Sequence, residues 1–197
     1  MALWHLVSFP FSRSSRWRNL RMWNVALNPF VLEQTSLSSF LPDPFVVTLG
    51  PVKSADHNVS EYELLTLACL VKSLRAEKVF EIGTFDGRSS RAIAMNLPQS
   101  GHLTTLNLPP GADSNDKGVQ NVDSLLNLKV VSGYKFIDTP EAARITQVFG
   151  DSYTFDFTAY QNTMDLVFID GSHDRNYVER DTLSALAMLK QSGGWLV

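Results

Sequence analysis

The chain has 197 residues, a net charge of −3 and a single cysteine. That length suits a domain with a core of its own. The weak negative charge gives no general attraction to nucleic acid, and no run of about eighteen apolar residues exists to form a transmembrane segment, so a small-molecule partner and a cytoplasmic location are expected.

The amino-terminal part differs in kind. From Met1 to Leu32 there is no acid, while Arg13, Arg16, Arg18 and Arg21 are interspersed with Trp4, Trp17, Trp23 and several serines. Residues 1–45 read as a basic aromatic extension: an organelle transit peptide, a segment lying on an anionic membrane surface, and a disordered or upstream-translated stretch all fit this composition. A secretory signal does not fit, because a continuous apolar run and a small-residue cleavage site are lacking. Pro29, Pro42, Pro44 and Pro51 punctuate the approach to the domain expected over 46–197.

Ser60 with Glu63 has the spacing of a capping box and predicts a helix whose apolar face is Leu64, Leu67, Leu70, Val71 and Leu74. Cys69 falls inside this pattern and reads as a buried structural thiol, since burial away from a cation keeps a thiol unreactive. Residues 79–82 (Val-Phe-Glu-Ile) then form a short buried strand closed by an acid, and Gly83-Thr84-Phe85-Asp86-Gly87 is the turn into a helix over 88–97. Two glycines four apart let the backbone turn tightly and approach a ligand. The G-x-G-x-x-G pattern of dinucleotide sites is absent, because Phe85 stands where its middle glycine would touch a pyrophosphate. A smaller cationic nucleoside fits better, and Glu81 could pair with an ammonium group such as the amino-acid end of S-adenosylmethionine. An ordinary strand-turn-helix is the bland alternative.

Gly101 precedes a second strand over 102–108. Asn107 comes 24 residues after Gly83, near the place where many nucleoside-binding folds hold ribose hydroxyls with an acid. Asparagine can accept and donate there but supplies no charge. Between Pro109 and Arg144 runs a long polar connection, in which 119–128 could form a short helix and Tyr134-Lys135-Phe136 could reach over the site as a lid; a merely solvated connection fits equally. A third strand over 144–149 ends in Gly150-Asp151-Ser152, where Asp151 or Ser152 could cap a helix. A fourth strand within Met164-Asp165-Leu166-Val167-Phe168-Ile169 ends in Asp170-Gly171-Ser172-His173, and in an open parallel sheet both Glu81 and Asp170 would lie beyond the carboxyl ends. His173 is the candidate base, histidine being the side chain most readily poised to take a proton near neutral pH. A helix over 175–191, with Val178, Leu183, Leu186 and Leu189 as its buried face, is closed by Ser192-Gly193-Gly194 before a fifth strand at 195–197.

These elements together resemble the class I S-adenosylmethionine-dependent methyltransferases, and more narrowly the O-methyltransferase-like group called methyltransferase family 24. The likeness rests on Glu-Ile-Gly-Thr-Phe-Asp-Gly (81–87), Thr-Leu-Asn-Leu-Pro-Pro (105–110), Thr-Pro-Glu-Ala-Ala-Arg-Ile-Thr-Gln (139–147), Gly-Asp-Ser (150–152) and Phe-Ile-Asp-Gly-Ser-His-Asp (168–174). It implies a doubly wound, Rossmann-like parallel sheet. It further implies a cofactor pocket of Glu81, Gly83, Thr84, Phe85, Gly87, Asn107, Asp151, Ser152 and Asp170, with Asp151 on the adenine amino group and Ser152 supporting it. His173 and Asp170 are the candidate catalytic pair for methyl transfer to a small-molecule hydroxyl, with a structural hydrogen-bonding role for His173 as the alternative. Asp170 with a second carboxylate could instead hold a divalent metal, although the sequence supplies no evident further ligand. The resemblance also implies another helix and two more strands after residue 197, so that an exposed sheet edge could pair two copies. Two other readings stay open: a nucleoside-binding scaffold without activity, and a nicotinamide-dependent oxidoreductase on the same fold, against which Phe85 argues.

Overall fold

Five short apolar segments form one all-parallel sheet in the computed structural model, which describes residues 36–42, 44–50, 58–110 and 131–197. The strands are β1 (Lys78–Ile82), β2 (His102–Asn107), β3 (Ile145–Phe149), β4 (Leu166–Ile169) and β5 (Trp195–Leu196), in the order β3-β2-β1-β4-β5. The chain moves outward from β1 to β3 and then returns to lay β4 along the other side of β1. The point of reversal therefore lies between β1 and β4, which is where such sheets open a crevice. This is the doubly wound α/β class expected from the sequence. Residues 1–35 of the extension expected over 1–45, and the helix expected at 119–128, lie outside the described residues.

Both faces of the sheet are buried, which is why its strands read as apolar runs. On one face Val79, Leu103, Leu166 and Phe168 pack with Leu64, Leu67, Leu70 and Ile93 from α1 (Glu61–Leu74) and α2 (Arg88–Asn96). On the other, Phe80, Ile82, Leu106 and Val167 pack with Phe157 and with Ala185 and Met188 of α4 (Arg175–Met188). The capping box starts α1 as predicted: the Ser60 hydroxyl accepts from the Glu63 N–H at 3.3 Å, and the Glu63 carboxylate accepts from the Ser60 N–H at 2.7 Å. Cys69 is free and buried on this helix, and burial pushes its thiol up. Upstream, the Thr48 N–H donates to the Asn96 side chain at 2.9 Å and its carbonyl accepts from the Asn96 amide at 2.7 Å, while Leu49 joins the core. Among the described residues no helix is long and apolar enough to cross a membrane.

Several boundaries differ from the sequence reading. A 3-10 helix, Pro140–Arg144, precedes β3, so Arg144 is not in the strand. Strand β2 ends at Asn107 rather than Leu108, and β4 starts at Leu166, with Met164 making only an isolated bridge to Leu189. Helix α4 stops at Met188, where Leu189 turns extended, so residues 192–194 form the turn into β5 and do not cap the helix. Its buried face is also not the leucine stripe expected. Tyr177, Asp181, Ala185 and Met188 face inward, whereas Leu183 is 63% exposed. Residues four, four and three apart share one side of a helix, and a residue two positions from Asp181 points nearly the opposite way.

Candidate active site

Because every strand runs the same way, their carboxyl ends share one edge, and β1 and β4 meet there through the Asp170 N–H donating to the Ile82 carbonyl at 2.8 Å. Gly83 follows β1 with a φ of +104°, and a Cβ built on it would stand 2.0 Å from the Asp170 carbonyl oxygen. Only glycine can pass at that point. The room a side chain would need is taken by the backbone of Asp170, so Gly83 holds the two strand ends together. Gly87 serves the same way toward another element: its φ is +87°, and a Cβ there would meet the Phe136 ring at 2.5 Å. Phe85 between them also adopts a positive φ, 46°, a conformation rare for a bulky side chain.

Glu81 does not end up on the open edge. Strand alternation turns it toward α2, where it is fully buried and accepts hydrogen bonds from the Ser90 hydroxyl and, at 2.6 Å, from the Thr105 hydroxyl; Thr105 and Thr84 share a further contact of 2.7 Å. Oε1 has no hydrogen-bond partner among the described residues. Burial pushes the acid up to about 7, against the pull of the Ser89, Ser90 and Thr105 hydroxyls and with the added charge of Asp170. The side chain expected to meet an ammonium directly thus lies beneath the turn. Thr84 is buried with it.

Asn107, at the end of β2, accepts from the Phe85 N–H at 3.3 Å and donates to the Leu108 carbonyl at 3.1 Å, tying its strand to the glycine turn. The 83–87 turn is held from outside by α3 (Tyr134–Ile137). The Gly133 N–H donates to the Phe85 carbonyl at 2.9 Å, the Lys135 N–H to the Asp86 carbonyl at 3.0 Å, and Lys135 Nζ lies 2.5 Å from Asp86 Oδ2. Asp86 also accepts from the Asn58 amide at 2.6 Å and the Arg88 N–H at 3.0 Å. The segment read as a lid is therefore fastened to the turn itself.

After β3, Asp151 forms a tight turn rather than a helix cap. Its Oδ1 accepts from the Tyr153 N–H at 2.9 Å and its Oδ2 from the Tyr177 hydroxyl at 3.2 Å. Ser152 lies beside Asp181 of α4. After β4, Asp170 is half-buried next to Gly83, and His173 is exposed on the loop leading into α4. The edge thus gathers Gly83, Thr84, Phe85, Asn107 and Asp170 closely, sets Asp151 and Ser152 on the next turn, and leaves His173 at the rim. Among the described residues no group of three or more His, Cys, Asp or Glu side chains is placed to hold a metal ion.

Four residues of this arrangement escape sequence reasoning. Ser90 and Thr105 matter because strand register and helix phase bring them to Glu81; Thr105 is Glu81's partner across β1 and β2. Asp86 and Asp181 carry no local signal: Asp86 stands in a turn, and Asp181 lies off the leucine stripe that the sequence offers as the buried face of α4.

The sequence profile of a family described as a methyltransferase domain matches residues 80–197. No curated protein matches the chain. Among solved structures it is similar to the O-methyltransferase TomG from Streptomyces achromogenes, involved in tomaymycin synthesis and solved in complex with SAM, at 21% identity over 91% of this chain and 71% of that one, with a TM-score of 0.50. It is also similar to the O-methyltransferase from Bacillus cereus solved with SAH, at 21% identity over 66% of this chain and 55% of that one, with a TM-score of 0.42. At 21% identity the likeness to TomG supports the fold alone. The chain spans little more than half the length of the Bacillus cereus protein and between 54% and 56% of three further solved structures.

Proposed function

Because the chain belongs to the methyltransferase domain family, whose profile covers residues 80–197, we propose that it binds S-adenosylmethionine at the carboxyl edge of the sheet and methylates an oxygen of a small-molecule acceptor. The observation that carries this reading is the charge at the switch point. Glu81 is buried with one orphaned oxygen, and the charge of Asp170 bears on it across the Gly83 contact. A cationic nucleoside relieves that arrangement, whereas the pyrophosphate of a dinucleotide would be repelled and would meet Phe85 where it needs glycine.

We assign the domain to residues 46–197, since Thr48 and Leu49 are already docked on α2 and the core. Gly83, Thr84, Phe85 and Gly87 supply the turn, Asn107 serves the ribose hydroxyls, and Asp151 with Ser152 serves the adenine. Asp170 faces the cationic end, and Glu81 adds its charge from beneath. When bound, S-adenosylmethionine supplies a methyl group already activated by its sulfonium, so alignment of the acceptor accounts for much of the acceleration. His173, at the rim, takes the acceptor hydroxyl's proton on a ring nitrogen as the methyl group passes to the oxygen, and Asp170 lies three residues earlier on the same loop.

Transfer of a radiolabelled methyl group to a panel of hydroxylated small molecules tests this reading. His173→Ala should lower kcat by about 100-fold with affinity for S-adenosylhomocysteine unchanged. An unaltered rate would remove His173 from the chemistry. Cofactor binding with no acceptor turned over would favour a nucleoside-binding scaffold.

A further inference from the structure

Asp181 stands in the middle of the buried face of α4, fully shielded from solvent, and neither carboxylate oxygen receives a hydrogen bond of good geometry among the described residues. A buried acid so poorly satisfied costs stability, and a helix packed on a sheet ordinarily carries an apolar residue there. Its surroundings belong to the site. Oδ2 lies 3.6 Å from where a Cβ on Gly171 would stand, so the carboxylate packs at van der Waals distance against the loop that carries Asp170 and His173. On its other side the acid feels the charge of Asp151 and the hydroxyl of Ser152, in the turn after β3.

The rest of α4 grips that same turn. Tyr177, one helical turn before Asp181, donates to Asp151 at 3.2 Å, the Tyr153 ring lies 5.4 Å from the Tyr177 ring, and the Arg180 guanidinium sits 4.8 Å over Tyr153. One helix therefore touches both loops assigned to the cofactor, and Asp181 is the residue placed between them.

We propose that Asp181 is a positioning residue of the cofactor site: its carboxyl group, flanked by Ser152 and by Gly171, sets the separation between the 151–153 turn and the 170–173 loop across which the nucleoside lies. This deepens the reading of the site as an S-adenosylmethionine pocket and rests on it. Asp181 places a hydrogen-bonding group where an apolar side chain would hold the helix better, and the two loops on either side of it give that group its role.

Thermal melting and calorimetric titration with S-adenosylhomocysteine, on the full chain and on Asp181→Asn, Asp181→Leu and Leu183→Ala, separate the outcomes. Both Asp181 variants should melt no lower than the wild type yet bind more weakly. Asparagine, which keeps one acceptor, should lose about 5-fold, and leucine, which keeps none, at least about 20-fold. Leu183→Ala, exposed on the same helix, should match the wild type in both measurements. Wild-type affinity in Asp181→Asn and Asp181→Leu would overturn the proposal, as would affinity lost only alongside melting temperature; if Asp181→Leu does not fold, Asp181→Asn decides by the same comparison. A wild type that takes up no S-adenosylhomocysteine would instead refute the cofactor reading, and the positioning role with it.

Discussion

Glu81 and Asp165 sit at opposite ends of the sheet and respond to pH in opposite ways. Burial raises Glu81 to about 7 from an ordinary value of 4.5, so its contribution to stability is complete below about 4.5 and is lost as pH rises through about 7. Asp181 acts in the same sense, raised by burial and the charge of Asp151 to about 6 against the pull of Ser152 and Arg180. The melting temperature should therefore fall between about pH 5 and about pH 8, and Glu81→Gln should flatten that slope; a slope unchanged in the variant would show that Glu81 is not the group responsible. Asp165 is partly buried, which opposes its charge, but bonds from Lys190 at 2.5 Å and from the Lys78 and Glu77 N–H groups at 2.9 and 3.0 Å prevail and hold its carboxyl below the usual range. Its contribution is present near neutrality and lost on acidification. Asp165→Asn should cost about 1–3 kcal/mol in chemical denaturation at neutral pH without touching cofactor affinity, since Asp165 lies at the amino ends of the strands.

Helix α1 and the glycine turn are held by different devices. Ser60→Ala removes half of the capping box and should cost about 1 kcal/mol in chemical denaturation. Asp86→Ala should cost about 3 kcal/mol, because it leaves the Lys135 ammonium buried without its anion and also frees Asn58 and the Arg88 N–H. Lys135→Met, which leaves Asp86 its other two donors, should cost less; equal losses would mean that the ion pair alone matters. The five strands and the N-cap of α1 were legible because each rests on neighbours within a few residues: an apolar run closed by glycine, or a serine three before a glutamate. The inward face of α4 was not, because the stripe that faces the core contains Asp181 and the small Ala185 while a conspicuous leucine, Leu183, faces water. The burial of Glu81 was hidden for a related reason. Its surroundings are made by Ser90 and Thr105, which helix phase and parallel register bring together from residues 9 and 24 positions away.

On the scale of the whole molecule, the order β3-β2-β1-β4-β5 puts the strand reversal between β1 and β4, and Gly83 against the Asp170 carbonyl closes the floor of the crevice there. Asp151 and Asp170 stand at two strand ends around that floor with Glu81 buried beneath it, while α3 holds the glycine turn and α4 the 151–153 turn. A cationic nucleoside is proposed to bind at this edge. Calorimetric titration of the purified chain with S-adenosylmethionine, S-adenosylhomocysteine and NADH tests that most directly. Saturable one-to-one binding of the first two, with no heat from NADH, is the predicted result. Binding of NADH, or of none of the three by a protein that melts cooperatively, would contradict it.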